Sequence, residues 1–190
     1  MKTKILITTS SIKYFSQVNN KKYEIIISRN KSNIDNICEY LDINNEDFLL
    51  DVSRKIDNID YLILNAVYFD NFSNLSIKQH KEIINTNLLS NIILTSLLKD
   101  KINKIIFMSH SSKKSQKNSS YMASKFLRFA MLKNDLKLKI HIINPKIVKT
   151  NFHKSSKIDI LKFEETNIQD IINLIDNIIS QKEKRFEIDL

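Results

Sequence analysis

Short apolar runs alternate with longer polar segments along this chain. Runs at residues 4–8, 23–28, 48–52, 61–65, 104–109, 138–144 and 186–190 are predicted as strands. Most lack strict apolar–polar alternation, the pattern expected of strands covered on both faces. Between them, residues 32–40, 76–98, 119–136 and 164–180 carry helical spacing, and a shorter helix is expected near 12–18. Ser76 and Ser119 stand where N-caps belong, and Glu164-Glu165 suits the positive end of the last helix. This alternation predicts an α/β fold, a doubly wound parallel sheet of about seven strands with helices on both faces. No repeat or linker interrupts it, so residues 1–190 are expected to form one domain. Ligands of such sheets lie beyond the carboxyl ends of the strands, where chain order reverses.

Composition narrows the function classes. The chain has 190 residues and is 42% hydrophobic, enough for one well-buried core. No apolar run reaches the length of a membrane span, and Met1-Lys2-Thr3-Lys4 shows no signal-peptide pattern. The single cysteine, Cys38, excludes an internal disulfide and reads as a small buried apolar residue. A cytoplasmic location is expected. The formal charge of +9 comes from dispersed lysines with no basic stripe interleaved with aromatics, so nucleic-acid binding is set aside. Abundant Lys, Asn and Ile, one proline and no glycine are the usage of an AT-biased coding sequence. A basic surface would still steer an acidic partner. His80, His141 and His153 have no metal-ligand spacing, and no metal is expected.

The chemistry concentrates in Tyr121-Met122-Ala123-Ser124-Lys125, which opens an apolar run suited to a helix. Tyr121 and Lys125 are four apart and share one helix face. An ammonium beside a phenol stabilises phenolate and brings proton exchange toward neutral pH, the acid–base need of a carbonyl reductase. Other segments fall in order around this pair: Asp51-Val52, Asn65-Ala66, Asn85-Thr86-Asn87-Leu88, and Pro145-Lys146-Ile147-Val148-Lys149-Thr150. Together they resemble the short-chain dehydrogenase/reductase family over nearly the whole chain, and that resemblance implies a Rossmann-type fold.

The resemblance assigns roles to residues. Tyr121 and Lys125 fill the catalytic positions, and Asn87 falls where the family's Asn holds a proton-relay water. Asp51 and Val52 match the pair ending the third strand, near the adenine. Asn65-Ala66 stands for the family's Asn-Asn-Ala-Gly motif. Pro145, Val148 and Thr150 match the segment against the carboxamide and pyrophosphate. Arg29 follows the second strand, where an acidic residue would accept from the ribose 2′-hydroxyl and Arg would pair with a 2′-phosphate. NADP(H) is therefore expected over NAD(H). The apolar excess at residues 126–132 and the family's pairing of long helices imply a homodimer or homotetramer.

Three departures accompany the resemblance. The first turn, Ile7-Thr8-Thr9-Ser10-Ser11-Ile12-Lys13, has no glycine where the family brings backbone close to pyrophosphate, leaving Thr8, Ser10, Ser11 and Lys13 as donors. In Met108-Ser109-His110-Ser111-Ser112 the alignment puts His110 at the family's Ser, so Ser111, with Ser109 as alternative, is expected to donate to the substrate carbonyl. The connection at residues 52–60 is short where the family has a helix. The expected activity is NADP(H)-dependent reduction of a small-molecule or acyl-thioester carbonyl. Asp70-Asn71, Leu75-Ser76 and residues 85–88 resemble 3-oxoacyl-acyl-carrier-protein reductases, whose carrier is acidic. The alternative is a non-catalytic protein of this fold with a degenerate nucleotide site.

Overall fold

The computed structural model describes residues 3–8, 23–26, 45–66, 75–109, 139–146, 148 and 164–190. Six strands form one sheet: β1 (Thr3–Thr8), β2 (Tyr23–Ile26), β3 (Ile59–Leu64), β4 (Ile102–Met108), β5 (Lys139–Asn144) and β6 (Glu187–Asp189). Their order is β2-β1-β3-β4-β5-β6, and every pairing is parallel. Ile5 of β1 pairs with Ile25 on one side and with Tyr61 on the other. The chain thus leaves β1 in one direction for β2 and resumes on the opposite side at β3. This reversal puts the switch point at the carboxyl ends of β1 and β3.

Consecutive residues of the inner strands are buried, as both-face coverage demands. One face gathers Ile5, Ile7, Tyr61, Ile63, Ile106, Met108, Ile143 and Ile188 under the helix α4 (Ile168–Ile179). The other gathers Leu6, Leu62, Leu64, Ile105, Phe107, Ile140 and Ile142 under α1 (Glu46–Lys55) and α3 (Ser90–Leu98). Between them in sequence, α2 (Ile77–Ile84) leads through a π-helical turn, Asn85–Leu89, directly into α3. Ser76 caps α2 as expected, in a reciprocal box with Gln79.

The expected strand at 48–52 is a helix, α1, and Asp51 and Val52 do not end a strand. Leu49, Val52 and Ile56 recur at helical spacing and pack on the sheet. Glu46 and Asp47 occupy the first turn and Arg54 and Lys55 the last, complementing the macrodipole. Val52 is spent in the core, and Asp51 pairs with Lys55 at 2.9 Å one turn on. The adenine-side role assigned to these two residues loses its basis. The same helix corrects the third departure, because the connection before β3 is covered by α1. Six strands, against about seven expected, are found among the described residues.

Lys101, in the turn before β4, donates from Nζ to the carbonyls of Ser53 (2.7 Å) and Ile56 (2.8 Å) at the end of α1. A cation there satisfies orphan carbonyls and the helix dipole together. Lys101→Met is expected to cost about 1.5 kcal/mol in urea unfolding, with the transition still cooperative.

The last helix also starts later than expected. Asn167 caps α4 by accepting from Gln169 N at 2.9 Å, while Glu164 lies outside it and pairs with Lys146 at 2.9 Å. At its other end Gln181 has φ 59°, Gln181 N bonds Ile178 O, and Lys182 N bonds Asn177 O. This is a Schellman closure with glutamine at the left-handed position that glycine favours. Gln181→Gly is expected to raise stability by about 0.5–1 kcal/mol, read as a higher denaturation midpoint with an unchanged slope.

The Tyr61 hydroxyl closes the same helix end, donating to the carbonyls of Ile178 (3.4 Å) and Ile179 (3.2 Å). Burial, with the Asp60 carboxylate adding to it, pushes the phenol above its ordinary value of 10.0. The folded state therefore keeps this proton to higher pH than the unfolded chain. The associated stability is complete below pH 10.0 and is lost as pH rises toward the folded value. Unfolding titrations from about pH 9 to about pH 11 should show this decline, with a shallower slope in Tyr61→Phe.

Candidate functional site at the strand carboxyl ends

Five strands deliver residues to the edge where the chain order reverses. Thr8 ends β1 with 0% of its surface exposed. Its Oγ1 accepts from the backbone N–H groups of Asn65 (3.2 Å) and Ala66 (3.3 Å) and lies 3.5 Å from Ile63 O. Asn65 N also donates to Thr8 O at 3.0 Å. The hydroxyl matters most to Ala66, whose amide lies past the end of the β3 ladder, whereas Asn65 N also has the Thr8 carbonyl. Thr8 therefore clasps the segment that follows β3, while half-buried Asn65 and Ala66 form the rim.

Ser109 continues the β4–β5 ladder by donating its N–H to Ile143 O at 2.8 Å, and it is half-buried. Past β5, Pro145 is buried and Val148 packs against the α4-side core. Thr166 braces this segment, accepting from Lys146 N (2.9 Å) and donating to Leu190 O (3.2 Å). Asn144 donates from its amide to Glu187 (2.7 Å) and Asp189 (3.0 Å), which ties the end of β5 to β6. His141, which has no metal-ligand spacing in the sequence, is buried on β5 with Nδ1 2.8 Å from Arg185 O.

Asn87 is buried within the π turn. The next residue, Leu88, packs against the same core cluster as Ala66. The structure thus joins Thr8, Asn65 and Ala66 directly, and puts Ser109, Pro145 and Val148 on neighbouring strand ends. Ser10, Ser11, Arg29, Ser111, Tyr121, Lys125 and Thr150 lie outside the described residues. So do the expected helices at 12–18, 32–40 and 119–136. What the sequence reading missed is the π turn and its neighbour Asn91. The available signal was a polar series, Asn87, Asn91 and Thr95, at four-residue steps in an apolar helix.

A family model for the short chain dehydrogenases matches residues 19–161. The chain belongs to the short-chain dehydrogenase family. The match starts past β1 and the glycine-free first turn, so it does not include them. No curated protein matches the chain in sequence. Solved structures agree on the fold. A short chain dehydrogenase family protein from Francisella tularensis is 15% identical, with a TM-score of 0.74 over 100% of this chain and 98% of that one. Aldohexose dehydrogenase from Thermoplasma acidophilum, ligand-free, is 14% identical, with a TM-score of 0.76 over 99% and 93%. The protein BdcA, in complex with NADPH, is 13% identical, with a TM-score of 0.76 over 98% and 93%. At these identities the likeness shows the Rossmann-type fold of the family's oxidoreductases.

The described residues of this short-chain dehydrogenase fit a nicotinamide dinucleotide. The rim at Asn65-Ala66 is partly open, its backbone held by a buried hydroxyl, and past β5 the backbone of Lys146 is braced by Thr166. Asn65, Ala66, Ser109, Pro145 and Val148 are the described residues that follow the strands at this edge.

Proposed function

We propose that this chain is an NADP(H)-dependent carbonyl reductase with Tyr121 as the proton donor. The observation that carries it is the Thr8 clasp on Asn65-Ala66 at the switch point, in a chain of this family. The nicotinamide, when bound, supplies the hydride. Tyr121 gives its proton to the carbonyl oxygen. Lys125 lowers the pKa of that phenol and holds the nicotinamide ribose. Ser111, or Ser109 in its place, donates a hydrogen bond to the same oxygen. Asn87 holds the water that returns the proton to Tyr121. Asn65, Ala66, Pro145, Val148 and Thr150 line the dinucleotide, and Ser10 and Ser11 donate to its phosphates.

Arg29 supports NADP(H), since a guanidinium pairs with a 2′-phosphate, and the similar fold of BdcA takes NADPH. An acyl thioester on an acidic carrier is the substrate class we favour, because a chain of formal charge +9 attracts it. A homodimer or homotetramer is the assembly we favour. A second reading, a non-catalytic protein of this fold, is favoured by the chain's lack of glycine, which removes the usual close approach of backbone to pyrophosphate.

Titration of the full chain with NADPH and NADH, followed by nicotinamide fluorescence, separates the two readings. Saturable NADPH binding with acetoacetyl-thioester turnover is expected. No binding of either nucleotide at millimolar concentration overturns the reductase, and binding of NADH alone overturns the role of Arg29.

A further inference from the structure

The long helix carries a polar device within its buried face. In the π turn the N–H of Ser90 donates to Asn85 O, five residues back. In an α-helix that N–H would serve the carbonyl of Thr86. Instead, the side chain of Asn91 reaches back, and its Nδ2 donates to Thr86 O at 3.0 Å. Thr86, Asn87 and Asn91 are all buried, Asn91 to 3% exposure. The bond also settles the amide orientation, because a flipped Asn91 would set its oxygen against the Thr86 carbonyl. The other end of that amide, Oδ1, has no hydrogen-bond partner among the described residues, and neither has Oγ1 of Thr95, 2% exposed and one turn further.

We infer that Asn91 is a positioning residue for Asn87, holding the π turn through Thr86 O, and that Asn91 Oδ1 and Thr95 Oγ1 together bind one internal water. A π turn widens the helix by one residue and turns its members relative to the flanking α-helix. Without a donor for the displaced Thr86 carbonyl, the regular α-helical register would compete, and it would rotate Asn87 away from its present setting. Asn91 supplies that donor from within the same helix. Having donated, it is left with an acceptor facing the interior. An acceptor and a hydroxyl four residues apart lie on one helix face, at a spacing one water spans. Thr95 can donate to or accept from this water, so both orphan atoms are satisfied at once. The catalytic part rests on the reductase reading of Asn87, whereas the geometric part does not.

Three measurements on the full chain test this. A high-resolution crystal structure should show an ordered water within hydrogen-bond distance of both Asn91 Oδ1 and Thr95 Oγ1, and a dry interior there overturns the hydration site. Amide hydrogen exchange should rise about tenfold across residues 86–91 in Asn91→Leu, with β3 and β4 unchanged. Thr95→Val, which keeps the Asn91–Thr86 bond, should leave that exchange as in the wild type. Equal exchange in wild type and Asn91→Leu, or the same rise in Thr95→Val, overturns the positioning role. Under NADPH-dependent turnover, Asn91→Leu should lower kcat about tenfold with KM for NADPH unchanged, the split expected of a misplaced relay group. A rise in KM with constant kcat overturns the link to Asn87. A wild type without turnover defeats the reductase reading alone, since density and exchange still decide the geometry.

Discussion

Tyr121→Phe is expected to lower carbonyl reduction by about 10³-fold while leaving NADPH binding nearly unchanged. Phenylalanine keeps the ring and removes the hydroxyl proposed to donate the proton, so the loss should appear in kcat. Lys125→Met should lose both turnover and nucleotide affinity, because in the proposed mechanism the ammonium serves the phenol and the ribose. Comparing kcat and the fluorescence-derived Kd of the two variants checks the division of labour. A Tyr121→Phe protein of undiminished activity would remove the proposed acid from the mechanism.

Thr8→Val is the second large effect, about 2–3 kcal/mol of stability lost on urea unfolding. Valine matches the shape and can enter the same buried site, so no cavity arises. What disappears is the acceptor for Ala66 N and half of the bonding of Asn65 N, which retains Thr8 O. A part-buried amide that loses its partner is costly to the extent that water cannot replace the lost oxygen. Because Asn65-Ala66 forms the rim of the proposed nucleotide crevice, NADPH affinity should fall with stability. Thr8→Ser, which keeps the oxygen, should recover most of both.

Much of the sheet was legible because most of its strands carry consecutive Ile and Leu residues, the pattern of a strand buried on both faces. Residues 48–52 show the limit. Phe48-Leu49-Leu50-Asp51-Val52 is too short for periodicity to separate strand from helix. The deciding signals were Ile56, seven residues after Leu49, and the charges at the two ends of α1. Glu164-Glu165 misled for a related reason. Acidic residues suit any first turn, but Asn167 makes the capping bond and so sets the start of α4.

The site divides the same way. Tyr121 and Lys125 were proposed from a local spacing and lie outside the described residues, while Asn65-Ala66, Asn87 and residues 145–150 served as landmarks in order. The family itself followed from those, and the match over residues 19–161 supports it. Thr8 was legible as a hydroxyl near the first turn but not as a clasp, because its partners lie 57 and 58 residues away. Nor could spacing announce the π turn, since it depends on which carbonyl each N–H finds.

Pattern alone was enough for the parallel α/β sheet and the order of its landmarks. These are local matters of period, propensity and charge, carried by residues within a few positions of one another. The strand order, the identity of α1, the use of Thr8 and the setting of Asn87 were decided in three dimensions. Each is a question of which distant partner satisfies a buried polar group or covers an apolar face, and only the assembled chain brings those partners together.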